Sequence, residues 1–124
     1  MDNHPFLARL DESKEFYTDE RCHILEMLHN QSEGTFSIAR ARVEPGVVTA
    51  WHRLKDTEEY YYILSGEGIM EINEEPEMNV RAGDIVTIPS GASQRITNPD
   101  LEKDLLFLAI CSPPFHDKAY EGLE

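Results

Sequence analysis

The chain has 124 residues, a length that fits one domain able to bury about two thirds of its unfolded surface. Acidic residues number 24 against 11 lysines and arginines, which gives a formal net charge of −13. A surface of that sign repels nucleic-acid phosphates and anionic lipids. We therefore expect neither nucleic acid nor a membrane as a partner.

Cysteine content and the N-terminal segment indicate the compartment. Only Cys22 and Cys111 are present, too few for a secreted disulfide scaffold of this size, so reduced thiols are the simpler interpretation. Residues 1–20 contain no basic region followed by a long apolar run. The longest uncharged apolar run, 105–111, is far too short to span a bilayer. We predict a soluble, cytoplasmic protein.

The predicted elements are short, and most of them are strands. Residues 1–20 form a predicted N-terminal arm with one weak helix, and 22–29 are ambiguous between a strand and one or two helical turns. Turns rich in glycine, proline and asparagine then separate segments rich in β-branched and aromatic residues. These segments predict strands at 36–43, 47–52, 59–65, 67–72, 77–81, 84–88, 93–98 and 104–111, before a tail at 113–124.

The number and spacing of these strands indicate the fold class. Many short strands with little room for crossover helices predict an all-β protein, an antiparallel sandwich or small barrel. We predict a single domain overall, with an arm at 1–20, a barrel at 21–112 and a tail at 113–124.

Two predicted strands are apolar on both faces, which bears on assembly. In 59–65 and 105–111 both sets of alternating positions carry mostly apolar side chains. The outer face is covered by the chain's own arm and tail, by a second copy, or by both. We favour a homodimer.

Two stretches carry glycines and polar residues at defined spacings. The first contains, in order, Gly46, His52, Leu54, Glu59 and Gly66, and the second contains Gly83, Pro89, Gly91, Gln94 and Asn98. The spacing resembles the two signature motifs of the cupin superfamily, Gly-x5-His-x-His-x(3,4)-Glu-x6-Gly and Gly-x5-Pro-x-Gly-x2-His-x3-Asn. The chain also resembles a subset of small single-domain cupins with Trp-His-Arg-Leu at 51–54 and Cys-x-Pro-x-Phe at 111–115. The resemblance implies a jelly-roll barrel, the double-stranded β-helix.

The resemblance also implies a metal site with a degenerate set of ligands. Cupin motifs supply three histidines and a glutamate to a metal. His52 and Glu59 keep two of these positions, whereas Leu54 and Gln94 stand at the other two. One divalent ion (Mn, Fe, Ni or Zn) would then be held by His52, Glu59 and the amide oxygen of Gln94.

Further residues are candidates for the site. Alternation places Tyr61 on the face of Glu59, where its hydroxyl could ligate a metal or orient a substrate. We predict His52, Glu59 and Tyr61 as catalytic residues, and Tyr61 and Gln94 as substrate-binding residues. Four more residues are of a type that binds metals, but no motif spacing relates them to the barrel: Cys22, His23, His29 and His116.

One strand raises a question about substrate charge. Arg40 and Arg42 share a face with Phe36 and Ile38, and an inward-facing arginine there would be able to receive a substrate carboxylate. The sequence leaves open which face of 36–43 is interior.

Three functions remain open at this point. The first is a small cupin that binds a small polar metabolite, a sugar or an organic acid, with divalent-metal-dependent catalysis as one form of it. The second is a metal-free isomerase or epimerase, in which Glu59 orients His52 to abstract a proton beside a carbonyl. The third is a non-catalytic small-molecule binding module.

Overall fold

A computed structural model describes residues 5, 7–29 and 34–124, so the predicted arm at 1–20 is described except at 1–4 and 6. Eleven strands are present in the described residues, together with two short 3₁₀ turns and no α-helix. The strands are β1 (Phe16–Tyr17), β2 (His23–Leu28), β3 (Ser37–Val43), β4 (His52–Leu54), β5 (Glu58–Ser65), β6 (Glu67–Ile72), β7 (Met78–Arg81), β8 (Ile85–Ile88), β9 (Gln94–Thr97), β10 (Leu105–Ser112) and β11 (Tyr120–Gly122). No helix in these ranges is long and apolar enough to cross a membrane.

The strands form two antiparallel sheets, and the all-β prediction is confirmed. One sheet has the order β1-β2-β3-β10-β5-β8, and the other has the order β11-β4-β9-β6-β7. Fully buried Ile63 and Leu105 of the first sheet share one core cluster with Met70 and Ile96 of the second. The sheets therefore face each other in a jelly-roll arrangement, without joining into a closed barrel.

The predicted strand at 47–52 is mostly wrong. Val48 makes only an isolated bridge to Thr97, and the regular strand is β4, His52–Leu54. The backbone N–H groups of the preceding residues bond to different parts of the chain: Ala50 donates to the Glu20 carbonyl and Trp51 donates to the Glu124 carboxylate. A continuous ladder cannot form here because the arm and the tail both supply acceptors. The ambiguous segment 22–29 is a strand, β2.

The faces of β3 are decided by the arm. Ala41 and Val43 are buried in the core, while Arg40 and Arg42 lie on the opposite face. There the Glu15 carboxylate accepts bonds from both guanidinium groups, at 2.6 Å from Arg42 Nη2 and 3.2 Å from Arg40 Nη2. The two arginines hold the pKa of Glu15 below its usual value, chiefly through the hydrogen bond from Arg42. Neither arginine can therefore receive a substrate carboxylate inside the molecule.

The hairpin between β5 and β6 explains one motif glycine. Gly66 has φ +89°, and a Cβ atom built there would lie 2.9 Å from the Asp104 carbonyl oxygen. Both the left-handed backbone and the close approach of the next connection require a residue without a side chain. The absence of a side chain at Gly66 lets the turn between β5 and β6 pack against the start of β10.

Candidate functional site

A cavity of about 230 Å³ lies between the two sheets. Its inner wall is built from strand residues such as Ala41, Tyr61 and Phe107, which alternation turns toward the core. Residues of the arm and the tail complete its rim, including Phe16 and Phe115. The volume is below the roughly 300–1,000 Å³ of sites for drug-sized ligands, so the cavity suits a smaller molecule.

His52 enters the cavity from β4 with a defined tautomer. Its side chain is buried, and Nδ1 lies 2.9 Å from the Ala50 carbonyl oxygen. Because a carbonyl can only accept, Nδ1 carries the proton, and Nε2 of the neutral ring keeps a lone pair. The Tyr120 ring stacks on the imidazole at a centroid distance of 5.4 Å. The Tyr120 ring therefore packs against one face of the imidazole, and the Ala50 carbonyl sets its tautomer.

Glu20 approaches His52 from the arm. The Nε2 atom of His52 lies 3.7 Å from Glu20 Oε2. The Glu20 backbone is held at this place because its carbonyl accepts from the Ala50 N–H at 3.0 Å and its own N–H donates to Thr18 Oγ1 at 3.2 Å. Burial raises the pKa of the Glu20 carboxyl, and His52 opposes that rise. An imidazole and a carboxyl that holds its proton more tightly than usual thus face each other in the cavity.

A buried hydrogen-bond chain runs beside this pair. The Tyr61 hydroxyl donates to Gln94 Oε1 at 2.7 Å, and Gln94 Nε2 donates to Glu59 Oε1 at 2.6 Å. The Cys111 thiol donates to the other Glu59 oxygen at 3.6 Å. Burial raises the pKa of Glu59 to about 7, although the bond from Gln94 opposes the rise. The Glu59 carboxyl therefore holds its proton up to near neutral pH.

Comparison with known proteins supports the family suggested by the motifs. The family model described as cupin domain (Cupin_2) matches residues 39–111, more than half of the chain. The chain is a cupin. This cupin is 35% identical over 117 residues to the uncharacterized protein MJ1618 of Methanocaldococcus jannaschii, with 92% of this chain and 91% of that protein covered. It is 36% identical over 93 residues to the oxalate-binding protein of Thermotoga maritima, covering 73% of each chain.

Among solved structures, the cupin resembles Pac13, a nucleoside dehydratase studied from Streptomyces. The TM-score is 0.79 at 17% identity, with 98% of this chain and 92% of Pac13 covered. Identity at that level shows a shared fold only.

The oxygens that Glu59 and Gln94 would offer to a metal are engaged in hydrogen bonds. Both oxygens of Glu59 already accept hydrogen bonds, and the Gln94 amide oxygen accepts from Tyr61. Leu54 lines the cavity at a usual histidine position and offers no donor atom. Within 7–29 and 34–124, no group of three or more His, Cys, Asp or Glu side chains is arranged to hold a metal ion. The assignment of His52, Glu59 and Gln94 to Mn, Fe, Ni or Zn stays a prediction.

The structure brings most of the predicted site residues of the cupin together. His52, Glu59 and Tyr61 all line the cavity. Gln94 does not line it; its side chain is 1% exposed and is occupied in joining Tyr61 to Glu59. The Gln94 amide thus lies behind the cavity wall, and its predicted substrate contact stays a prediction.

The remaining ligand-type residues divide into two groups. Cys22 and His29 line the cavity, and Cys22, like Cys111, is a buried free thiol. His23 lies outside it, with Nε2 3.0 Å from Glu44. His116 also lies outside and accepts from the Lys118 N–H, where it caps a 3₁₀ turn. Only two of the four residues are in a position to meet a bound molecule.

Three site residues escaped sequence reasoning. Cys111 shares an interior strand face with Leu105 and Phe107, so alternation along β10 would have indicated it. Glu20 and Tyr120 belong to the arm and the tail, and no local pattern relates them to His52. Their placement depends on chain segments that return to β4 from both ends of the sequence.

Proposed function

We propose that this cupin is a small-molecule enzyme of lyase or isomerase type that transfers protons in the cavity without a metal ion. The observation that carries the proposal is the pair of His52 and Glu20, 3.7 Å apart and lining one cavity. His52 Nε2 acts as the base, and the Glu20 carboxyl acts as the acid.

The pair can perform the two proton transfers that such reactions need. An imidazole nitrogen abstracts a proton from carbon beside a carbonyl, and a protonated carboxyl gives one to a carbonyl or leaving oxygen. The distance of 3.7 Å exceeds a direct hydrogen bond, so a substrate hydroxyl or carbonyl has access to both groups. General acid–base catalysis of this kind contributes typically about 10²–10⁴-fold in rate.

The orientation of His52 differs from the one expected for a metal-free enzyme. The Ala50 carbonyl, rather than Glu59, accepts the Nδ1 proton. Glu59 is instead a separate carboxyl whose pKa of about 7 lets it hold a proton near neutral pH. We assign it a supporting role in the electrostatics of the cavity.

The relatives agree with a small-molecule function. The fold carries a nucleoside dehydratase in Streptomyces, and the Thermotoga maritima relative is an oxalate-binding protein. A dehydratase belongs to the lyase class that the His52 and Glu20 pair suits. Oxalate fits this cavity less well, because a dianion would face the carboxyls of Glu20 and Glu59 with no lysine or arginine among the described lining residues.

Deuterium exchange in D₂O tests the proposal. The enzyme is incubated with chelator and a panel of aldoses, ketoses, nucleosides and 2-oxo acids, and NMR detects loss of carbon-bound protons. We expect chelator-resistant exchange or turnover for at least one class. His52→Gln should slow it by roughly 10²-fold or more, because the base is removed. Glu20→Gln should slow it as well.

The matched control is His23→Gln, which changes a histidine outside the cavity and should retain the wild-type rate. Exchange that appears only after a divalent ion is added would favour the metal-dependent enzyme. Ligands that bind without exchange would favour the non-catalytic module.

We also propose that the outer face of the six-stranded sheet pairs two copies of the chain. Exposed apolar side chains on β5 and β8 include Tyr62, Leu64 and Ile85. Half-buried Leu106, Leu108 and Ile110 of β10 extend the same face. Because each copy carries a net charge of −13, apolar contact is needed to offset repulsion between copies.

Ile85→Glu tests this interface. Ile85 is 65% exposed, so the folded chain should tolerate the change, while a buried glutamate at the interface would dissociate the dimer. Light scattering after gel filtration should change from about twice 14.2 kDa to 14.2 kDa. Leu101→Glu is the control, since Leu101 is 84% exposed in the loop before β10. A wild-type monomer at high concentration would contradict the proposal.

A further inference from the structure

We infer that the cavity takes a small organic cation, an amine-bearing metabolite, as its ligand. The inference rests on the proposed small-molecule function of the same cavity and names its ligand class. It is carried by the charges, the hydrogen-bonding groups and the aromatic side chains of the wall.

The charged side chains of the wall have one sign. Glu20, Glu26, Glu59 and Asp117 line the cavity, and no lysine or arginine of the described residues does. The nearby arginines are engaged elsewhere: Arg42 binds Glu15, and Arg95 binds Glu71 at 2.6 Å. A carboxylate or phosphate ligand would therefore meet no lysine or arginine, and among the described lining residues only His29 and His52 are able to carry a positive charge. The net charge of −13 adds to that repulsion.

The Glu20 and His52 pair offers hydrogen-bond acceptors to a bound cation. With its proton on Nδ1, the neutral His52 ring presents an acceptor at Nε2, and a bound positive charge favours the ionised form of Glu20, which presents only acceptors. No side chain or backbone N–H in the described ranges donates to the Glu20 carboxylate. An ammonium group has three donors and no acceptor, so one such group satisfies both residues.

The apolar part of the wall suits the same ligand. Aromatic side chains line the cavity at two depths, with Phe16 and Phe115 at the rim and Tyr61 and Phe107 in the core. Aromatic rings attract cations by roughly 0.5–2 kcal/mol, more as the site is desolvated. The cavity volume of about 230 Å³ limits the ligand to roughly monosaccharide size or smaller.

Two sets of isosteric probes test the ligand class. One set is D-glucosamine, D-glucose and D-glucuronate; the other is 4-aminobutan-1-ol, butane-1,4-diol and 4-hydroxybutanoate. Each probe is titrated at neutral pH while amide chemical shifts of ¹⁵N-labelled protein are followed. We expect the amine of at least one set to bind roughly tenfold or more tightly than its neutral isostere. The acid of that set should bind more weakly still.

Two variants assign the preference to the cavity. Glu20→Gln keeps the shape of the side chain but removes its charge, so the amine should lose most of its advantage over the neutral isostere. Glu67→Gln, at an exposed position on β6, should leave the preference unchanged. The amide spectra themselves report whether each variant is folded.

Every other outcome counts against the inference. An acid or a neutral probe that binds as tightly as its amine overturns it, as does the absence of binding by all six. If an acid binds to the wild-type protein and its binding is lost in His52→Gln, the cavity is still a small-molecule site, but its ligand belongs to another class. The deuterium-exchange assay decides the proposed catalysis separately.

Discussion

Glu59→Gln should gain about 3 kcal/mol of stability relative to wild type between pH 4.5 and pH 7, since folding raises the pKa of Glu59 from 4.5 to about 7. Burial is the main cause, because it disfavours the ionised form. An acidic group whose pKa is raised by folding makes its full contribution to stability at pH values below the pKa that it has in the unfolded chain. This contribution is lost as pH rises through the folded value, and glutamine has no proton to lose.

Urea unfolding at about pH 4, 6 and 8 measures the difference. When the free energy of unfolding is plotted against pH, the variant and wild-type curves should diverge as the pH rises from 4.5 and run parallel above 7. Glu67→Gln is the control, because an exposed side chain on β6 should leave the pH dependence nearly unchanged. Curves for Glu59→Gln that stay parallel to wild type throughout would show that Glu59 ionises normally in the folded protein.

Asn98→Ala should cost roughly 3–5 kcal/mol, a large part of the typical stability of about 5–15 kcal/mol. Asn98 is 0% exposed, and its Nδ2 donates to the Val43 carbonyl at 3.0 Å and the Lys103 carbonyl at 2.8 Å. Its Oδ1 accepts from the Asp100 N–H at 3.0 Å. Truncation leaves these three backbone groups without their partner; the bond to Val43 is buried and the other two are partly buried. Each buried unsatisfied group costs about 1–3 kcal/mol, and partly buried groups cost less because water reaches them.

Urea unfolding near neutral pH also checks this prediction. Asn79→Ala is the control, because Asn79 is an exposed residue of β7 and its truncation should change stability by about 0.5 kcal/mol or less. A loss below about 1 kcal/mol for Asn98→Ala would mean that water or a rearranged loop replaces its hydrogen bonds. The result bears on the second cupin motif, of which Asn98 is the last residue.

The inward side chains of the first motif were predictable because strand alternation is a local property. Successive residues of β5 point to opposite faces, so Glu59 and Tyr61 had to share one. The role of Gln94 was not predictable in the same way. Its two hydrogen bonds, one with Tyr61 and one with Glu59, depend on how the three side chains pack together in the folded protein.

The two faces of β3 show a second limit of sequence reasoning. Either face of β3 was a possible interior face. The contact of Glu15 in the arm with Arg40 and Arg42 places the arginine face on the outside. The contact joins residues more than twenty positions apart in the chain. Charge pairing over that separation leaves no periodic pattern in the sequence.

The sequence by itself determined the all-β class, the cupin motifs with His52 among their residues, and the inward direction of Glu59 and Tyr61. Turn residues and period-two alternation act over a few residues, so they can be recognised without knowledge of the rest of the chain. Only the tertiary structure decided that Glu20 faces His52, that Tyr120 stacks on it, and that the Gln94 amide joins Tyr61 to Glu59. These features depend on the arm and the tail returning to β4, because the site is completed by residues from both ends of the chain.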